Sequence, residues 1–328
     1  MALQIKALPV SEENYAETMR GNVEPYLADL REDGFFKGCD GNEIHYELYP
    51  LAGAEGGVVI SHGFTESAEK FREMIYNFLQ MQFSVYIVDH RGHGRSYRRN
   101  PDDPETVSVK AFDEYVEDLA IFVDTLVKPK NGALPLYLYA HSMGGAIAVQ
   151  FLQTHPGVFQ KAVLSAPMIQ AQMPIPPAVT TAMCNFFIGI GKGDKRVFVH
   201  KGFDPAYSYD QSHDTSKARF DYYHAKRKAN RHLQTASASY RWVRESVRVA
   251  KRNLDPARCA KITIPVLLCQ PEVDTSVISE KENEFISLIP DGRLVQFRDC
   301  RHEIYAAVDS TVFEYLQTIE KFLKGESD

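Results

Sequence analysis

From residue 56 onward, short β-branched runs alternate with stretches of helical spacing, and this alternation leaves few architectures open. "GGVVISHGF" reads as a strand, and "AEKFREMIYNFLQ" follows it with apolar positions at Phe71, Met74, Ile75, Phe78 and Leu79. "SVYIVDH" is a strand again. "AFDEYVEDLAIFVDTLV" then carries an unbroken helical stripe from Phe112 to Leu126. "PLYLYAHS" and "KAVLSAP" are strands on either side of the helix "GGAIAVQFLQTH". Strands apolar on both sides and separated by helices are parallel strands buried between helical layers. Ahead of them, "GFFKGCDGNEIHYELYP" places two short runs around a Cys-Asp-Gly-Asn turn, which predicts a β-hairpin.

The order breaks at about Met168, where Pro174, Pro176 and Pro177 cluster, and the chain stays helical or irregular to Asp255. It resumes with "ITIPVLLCQPEVD", "SEKENEFISLIP", "RLVQFRDC" and a last helix, "STVFEYLQTIEKFLK". An insertion inside a regular α/β order reads as a lid over the carboxyl edge of the sheet, where open α/β sheets bind ligands. The expected organisation is a core of residues 1–167 and 256–328 with a helical lid at 168–255. At 328 residues the chain is long enough to bury a large core of this kind.

Composition narrows the partners. A net charge of -6 gives no general attraction to nucleic acid. The five cysteines are scattered, with no Cys-x-x-Cys pair, which argues against both a disulfide framework and a zinc site. "MALQIKALPVSEENY" has neither a sustained apolar stretch nor a small-residue cleavage pattern. No run reaches the length that crosses a bilayer. The expectation is a cytoplasmic chain, peripheral to the membrane's inner face at most.

The chemistry concentrates in "AHSMGGA". Ser142 stands where a buried strand turns into a helix. A serine hydroxyl is a weak nucleophile and needs a base beside it and donors for the oxyanion it creates. A tight strand-to-helix turn lifts the hydroxyl out of the sheet and aims the first helical N–H groups at the site. Such a bend tolerates only small residues two positions to either side, here Ala140 and Gly144. The competing reading is an ordinary helix N-cap serine; the apolar strand immediately before Ser142 favours the nucleophile.

The acid and the base should then follow at the ends of later strands, in that order. "FRDCRHEIY" offers His302, and "CQPEVDTSV" offers Asp274, with Glu272 as the alternative closer to Pro271. Asp299 and Glu303, nearer to His302 in sequence, read as solvated turn residues. In "VVISHGFTES", Gly63 lets the backbone turn so that the Phe64 N–H complements that of Met143 in an oxyanion hole.

Taken together these residues resemble the α/β-hydrolase superfamily. "VDHRGHGRS", "AHSMGGA" and "RHEIY" narrow the resemblance to the branch of lysophospholipases, monoacylglycerol lipases and serine aminopeptidase-type hydrolases. The resemblance implies a mostly parallel sheet flanked by helices, with a triad of Ser142, Asp274 and His302 and an oxyanion hole of Phe64 and Met143. It implies ester hydrolysis on lipids through an acyl-enzyme, with no metal or organic cofactor. Ala140, in place of the usual first glycine, and "QPEVD", in place of Gly-x-x-Asp, depart from the family pattern. "HRGHGRS" reads as a structural loop behind the site rather than a metal or phosphate site.

Between Lys217 and Arg252 there are 11 Lys or Arg against two acids, Asp221 and Glu245. This is either a solvated helical face or a surface that attracts anionic headgroups. "MPIPPAVTTAMCNFFIGI" either lines an acyl channel or packs on the core, and Trp242 is expected to pack. "GIGKGDK" lacks the preceding strand and the Ser or Thr of a phosphate loop. The alternative functions are an aminopeptidase-type peptidase, a small-ester carboxylesterase and, in another class, a non-catalytic hydrolase-fold receptor. A peptidase of that type would want acids in the lid to hold a substrate ammonium. Receptors of this fold typically lack a triad member, and here all three positions are filled.

Overall fold

The β-branched runs build one eight-stranded sheet in a computed structural model that describes residues 7–212 and 214–325. The strands are β1 (Glu32–Lys37), β2 (Glu43–Tyr49), β3 (Gly56–Ser61), β4 (Phe83–Val88), β5 (Leu136–His141), β6 (Lys161–Ser165), β7 (Val266–Pro271) and β8 (Gly292–Phe297). Their order across the sheet is β1-β2-β4-β3-β5-β6-β7-β8. The predicted hairpin is β1 with β2, and β2 meets β4 antiparallel. From β4 to β8 every pairing is parallel. The sequence reading therefore holds from the hairpin to the last strand.

Each residue of β3, β4, β5 and β7 is buried, as strands covered on both faces must be. Alternate side chains supply two separate apolar cores. Val59, Leu138 and Leu164 pack with the helices α2 (Asp113–Phe122) and α3 (Met143–Thr154). On the opposite face Val58, Ile60, Tyr139 and Val163 pack with α1 (Arg72–Gln80) and with the last helix, Asp309–Lys324. The long stripe is helical from Asp113 onward, with Phe112 capping the helix, and α2 loosens into a wider turn at Val123–Val127.

Residues 168–255 contain α4 (Pro177–Gly189), α5 (Lys217–Ala229) and α6 (Tyr240–Asn253). The segment leaves and rejoins the core at one place. Asn253 Nδ2 donates to the carbonyls of Met168 and Ile169 at 3.3 and 3.1 Å, and Gln150 Nε2 donates to Asn253 Oδ1 at 2.6 Å. Two features were not expected from sequence. A two-residue parallel ladder joins Thr106–Val107 to Ser237–Ala238. Helical turns at Tyr15–Thr18 and Glu24–Leu30 lie against α1 and α5, where the Tyr15 hydroxyl donates to Glu73 and that of Tyr222 to Glu24.

The basic stretch is not simply a solvated face. Eight of its 11 cations make bonds to protein groups, several across to the core. Arg219 is 4% exposed and holds Glu73, Asp309 and the Val10 and Ala307 carbonyls. Lys228, Arg231 and Lys251 are exposed. α4 packs on α6 through Phe187 and Tyr240, whose rings stack at 4.1 Å, and leaves Val179, Phe186 and Ile190 exposed. Among the described residues no helix is long and apolar enough to cross a membrane. The first six residues of the N-terminal stretch lie outside the described residues.

Candidate active site

The carboxyl ends of β3, β5, β7 and β8 bring the sequence-predicted residues to one rim of the sheet. Ser142 directly follows β5, with φ 50° and ψ -118°, a conformation a non-glycine residue seldom adopts. Holding it there costs about 1–3 kcal/mol, and residues over-determined in this way cluster at active sites. The surroundings impose the bend. A Cβ on Gly144 would fall 2.0 Å from the Ser61 carbonyl oxygen, so α3 can approach β3 this closely only with glycine there. Ala140 is wholly buried, and its methyl is accommodated where the family pattern has glycine.

His302 lies in the loop after β8. Its Nε2 is 2.8 Å from Ser142 Oγ, and its Nδ1 is 2.7 Å from Asp274 Oδ2. Asp274, three residues past β7, is fixed through its other oxygen, which accepts the N–H groups of Ser276 at 2.7 Å and Val277 at 3.0 Å. Burial works to raise the Asp274 carboxyl. The His302 hydrogen bond, the His302 charge and those two N–H groups outweigh it and hold the carboxyl below its ordinary value. Glu272, the alternative acid, is exposed, and its own N–H is taken by the Phe297 carbonyl. Of the two acids, Asp274 is the one on the imidazole.

The turn from Gly63 to Glu66 lies against Ser142: a Cβ on Gly63 would come within 3.0 Å of Ser142 Cβ. Phe64 sits in this turn, and Thr65 beside it has φ 65°. The Phe64 ring is held from the inserted segment by Trp242, at 4.4 Å between centroids. Trp242 packs as expected, on the ring of Phe64 in this turn. Met143 opens α3, where the first N–H groups of a helix have no intrahelical acceptor. Ser142 and His302 are each 8% exposed, so the site is covered.

"VDHRGHGRS" behaves as a brace. Arg91 bonds both oxygens of Asp118, at 2.7 and 2.8 Å. Asp89 accepts the N–H groups of Ala68 and Arg95. Gly94 has φ 50°, and a Cβ there would meet Asp89 Oδ2 at 2.0 Å.

One expectation fails. Glu303 is not a solvated turn residue: it is mostly covered and ion-paired with Lys70, whose partner lies 233 positions away in the chain. Sequence distance hides such a pair. Two further residues meet at the site, His141 and Glu66, 3.0 Å apart. Their only trace in the sequence is nearness to Ser142 and Phe64. A cavity of about 220 Å³ adjoins this cluster, lined by Thr65, Lys70, Asp214, Tyr223, Glu303 and Tyr305 among others.

The model of the family described as serine aminopeptidase, S33, matches residues 52–309. Lysophospholipase L2 of Escherichia coli (strain K12) is 29% identical over 314 residues, covering 89% of this chain and 87% of that one. Human monoglyceride lipase is 34% identical over 144 residues, covering 44% of each chain. Among solved structures, a soluble variant of the Saccharomyces cerevisiae monoglyceride lipase in complex with a substrate analog superposes with TM-score 0.69 at 19% identity, covering 90% of this chain and 97% of that one. A carboxyl esterase from Bacillus coagulans does so with TM-score 0.73 at 18% identity, covering 90% of this chain and 98% of that one. Both share the fold, an α/β-hydrolase sheet with flanking helices. Because the family match runs from before β3 to the start of the last helix and takes in every rim residue described above, the chain belongs to the serine aminopeptidase S33 family.

Proposed function

We propose that this protein is a serine hydrolase that cleaves the carboxylic ester of a lysophospholipid or monoacylglycerol through an acyl-enzyme on Ser142. The observation that carries the reading is the continuous chain Ser142 Oγ, His302, Asp274 at the sheet rim, with both links at hydrogen-bond distance. His302 Nε2 takes the hydroxyl proton as Oγ attacks the ester carbonyl. The N–H groups of Phe64 and Met143 receive the oxyanion, each such donor being worth about 3–4 kcal/mol. Asp274 keeps the imidazole in the Nδ1–H tautomer and stabilises its charged form. His302 returns the proton to the leaving alcohol, and water then repeats the sequence to release the fatty acid.

The lipid substrate class is supported by the names of the relatives, lysophospholipase L2 and monoglyceride lipase. Residues 168–255 act as the lid in this reading, with α6 placing Trp242 over the oxyanion turn. Peripheral contact with an anionic membrane belongs to it as well, through Lys228, Arg231 and Lys251 of the basic lid. The aminopeptidase alternative needs a free acid for the substrate ammonium. Glu303, beside His302, already faces Lys70.

The test is a hydrolysis panel of lysophosphatidylcholine, monoacylglycerol, short acyl esters and aminoacyl anilides, run on the wild type and Ser142→Ala. Turnover of the lipid esters, lost in the variant together with labelling by a fluorophosphonate probe, is the expected result. Turnover of the anilides alone would install the peptidase reading; no labelling of the wild type would install a non-catalytic receptor.

A further inference from the structure

The residue before the nucleophile carries a second acid–imidazole pair that the mechanism above does not use. His141 ends β5 and is buried. Its Nδ1 is 3.0 Å from Glu66 Oε2, and its Nε2 is 3.2 Å from the main-chain oxygen of His302. A peptide oxygen can only accept. Glu66 is also acting as an acceptor: its carboxylate receives the Gly63 N–H and, at 2.6 Å, the Tyr305 hydroxyl, and Lys70 Nζ stands 3.6 Å away. With an acceptor at each ring nitrogen, both nitrogens must carry protons, which makes the ring an imidazolium.

We propose that the His141 imidazolium, ion-paired to Glu66, is a positioning group that holds the oxyanion turn, the nucleophile and the histidine loop in register. Glu66 secures the turn through the Gly63 N–H. His141 secures the nucleophile by preceding it in the chain, and the base through the His302 carbonyl. The inference rests on the reading of Ser142 as nucleophile.

Three loops from three different strands have to meet within a fraction of an ångström for the attack geometry to form. A neutral imidazole has one N–H, so either tautomer serves one acceptor and abandons the other. The pair is also what makes a buried charge tolerable here. Burial opposes the charged form of His141, and the Glu66 carboxylate overcomes it, holding the imidazole pKa above its ordinary value. Burial likewise works to raise Glu66, and His141 with Lys70 hold it well below the usual carboxylate range. The titratable groups facing His141 are Glu66, Lys70 and His62 from the β3 side, and His302, Glu303 and Tyr305 from the loop after β8. The His302 and Tyr305 rings lie 4.9 and 5.0 Å from its own.

Two measurements on the full chain test this. In histidine-labelled protein, long-range proton–nitrogen spectra, assigned with His141→Gln, should show both His141 ring nitrogens protonated at pH 7; a neutral ring overturns the proposal. In kinetics, Glu66→Gln keeps the shape and can still accept from Gly63, but it cannot balance an imidazolium. Its kcat on the ester substrate should fall about 10- to 100-fold with KM unchanged, and the alkaline limb of its pH profile should move to lower pH as His141 loses its proton earlier. A folded Glu66→Gln with unaltered kcat and an unmoved alkaline limb overturns it. If Ser142→Ala abolishes hydrolysis while Glu66→Gln behaves as wild type, this inference alone fails. Hydrolysis retained by Ser142→Ala removes the nucleophile reading and this one with it.

Discussion

At the rim of the sheet, charge runs in short chains between loops of the core: Asp274 on His302 and Ser142, Glu66 on His141 and Tyr305. In residues 168–255 it runs between regions instead. Arg219 reaches Glu73 and Asp309, Lys226 reaches Glu24 and Glu69, and Arg252 reaches Asp113. The first arrangement fixes the loops at the sheet rim against one another, and the second fixes one body of chain upon another. A basic run in sequence can thus be divided, most of its cations bonded within the protein and a few, here Lys228, Arg231 and Lys251, left exposed. Three of its cations, Arg219, Lys226 and Arg252, pair with acids of the core, and five more bond within the inserted segment itself.

The largest separation between the two should come from Asp274→Asn. Removing the charge that orients His302 leaves the fold intact and lowers kcat about 10⁴-fold, as for the buried acid of comparable triads. Glu272→Gln, on the exposed alternative, should leave turnover within about twofold of wild type. Steady-state kinetics with a chromogenic ester measure both. A large loss in Glu272→Gln, with little in Asp274→Asn, would exchange the two roles.

Arg219→Leu should act on stability instead. The guanidinium is buried, and its removal leaves the Glu73 carboxylate without its counter-ion and two carbonyls without their donor, which costs about 3–5 kcal/mol. Chemical denaturation should report that loss, with kcat per folded molecule retained because Arg219 touches none of the rim residues. A loss of kcat with unchanged stability would mean that the inserted segment takes part in catalysis.

How much of this was legible in the sequence follows from the range of each interaction. The strand-to-helix turn at Ser142 is a local pattern, an apolar strand against small residues, and Ser142 stands out within seven residues. His302 and Asp274 could be placed because an α/β order forces successive strand ends to one rim, whichever loop intervenes. The Lys70–Glu303 pair left no such trace, since neither residue has a periodicity or spacing that links it to the other. The same is true of Arg219, which reads as one more cation on an exposed helix until Glu73 is brought beside it. Glu66 and His141 are an intermediate case: His141 adjoins Ser142 and Glu66 lies two positions past Phe64, but their pairing spans 75 positions.

Three cations of the inserted segment, Lys228, Arg231 and Lys251, are exposed and available to an outside partner. Replacing all three with Gln should leave thermal stability unchanged and remove the preference for anionic vesicles, at about 1 kcal/mol for each cation near the surface. Sedimentation with anionic and neutral vesicles at low and high salt measures it. Equal, negligible binding of the wild type to both kinds would end the membrane proposal and leave the basic run wholly to internal packing.

The smallest effect should be found in the core, behind the turn that carries Phe64, where His62, His90 and His93 form a cluster with the latter two centroids 4.6 and 5.3 Å from the His62 ring. Burial first, and the neighbouring rings with it, push His90 and His93 well below the ordinary histidine value. The folded chain therefore keeps them neutral while the unfolded chain takes up protons below about pH 6.5. Stability from these groups is complete above that pH and is lost as the pH falls toward their folded values. His141 and Glu282 run the other way. Both bind protons more readily when folded, Glu282 being pushed up to about 8 by burial, so each adds stability on acidification. The difference between wild type and His93→Gln cancels those opposing contributions. Denaturation curves between pH 6.5 and 5 should then diverge by up to about 1.4 kcal/mol per pH unit, with the variant the less acid-sensitive. His93 is the residue to change because its Nε2 is buried with no hydrogen-bond partner among the described residues, so its removal sacrifices no bond at that atom. Parallel curves would move the acid sensitivity away from the histidine cluster and onto the carboxylates that tie the inserted segment to the core.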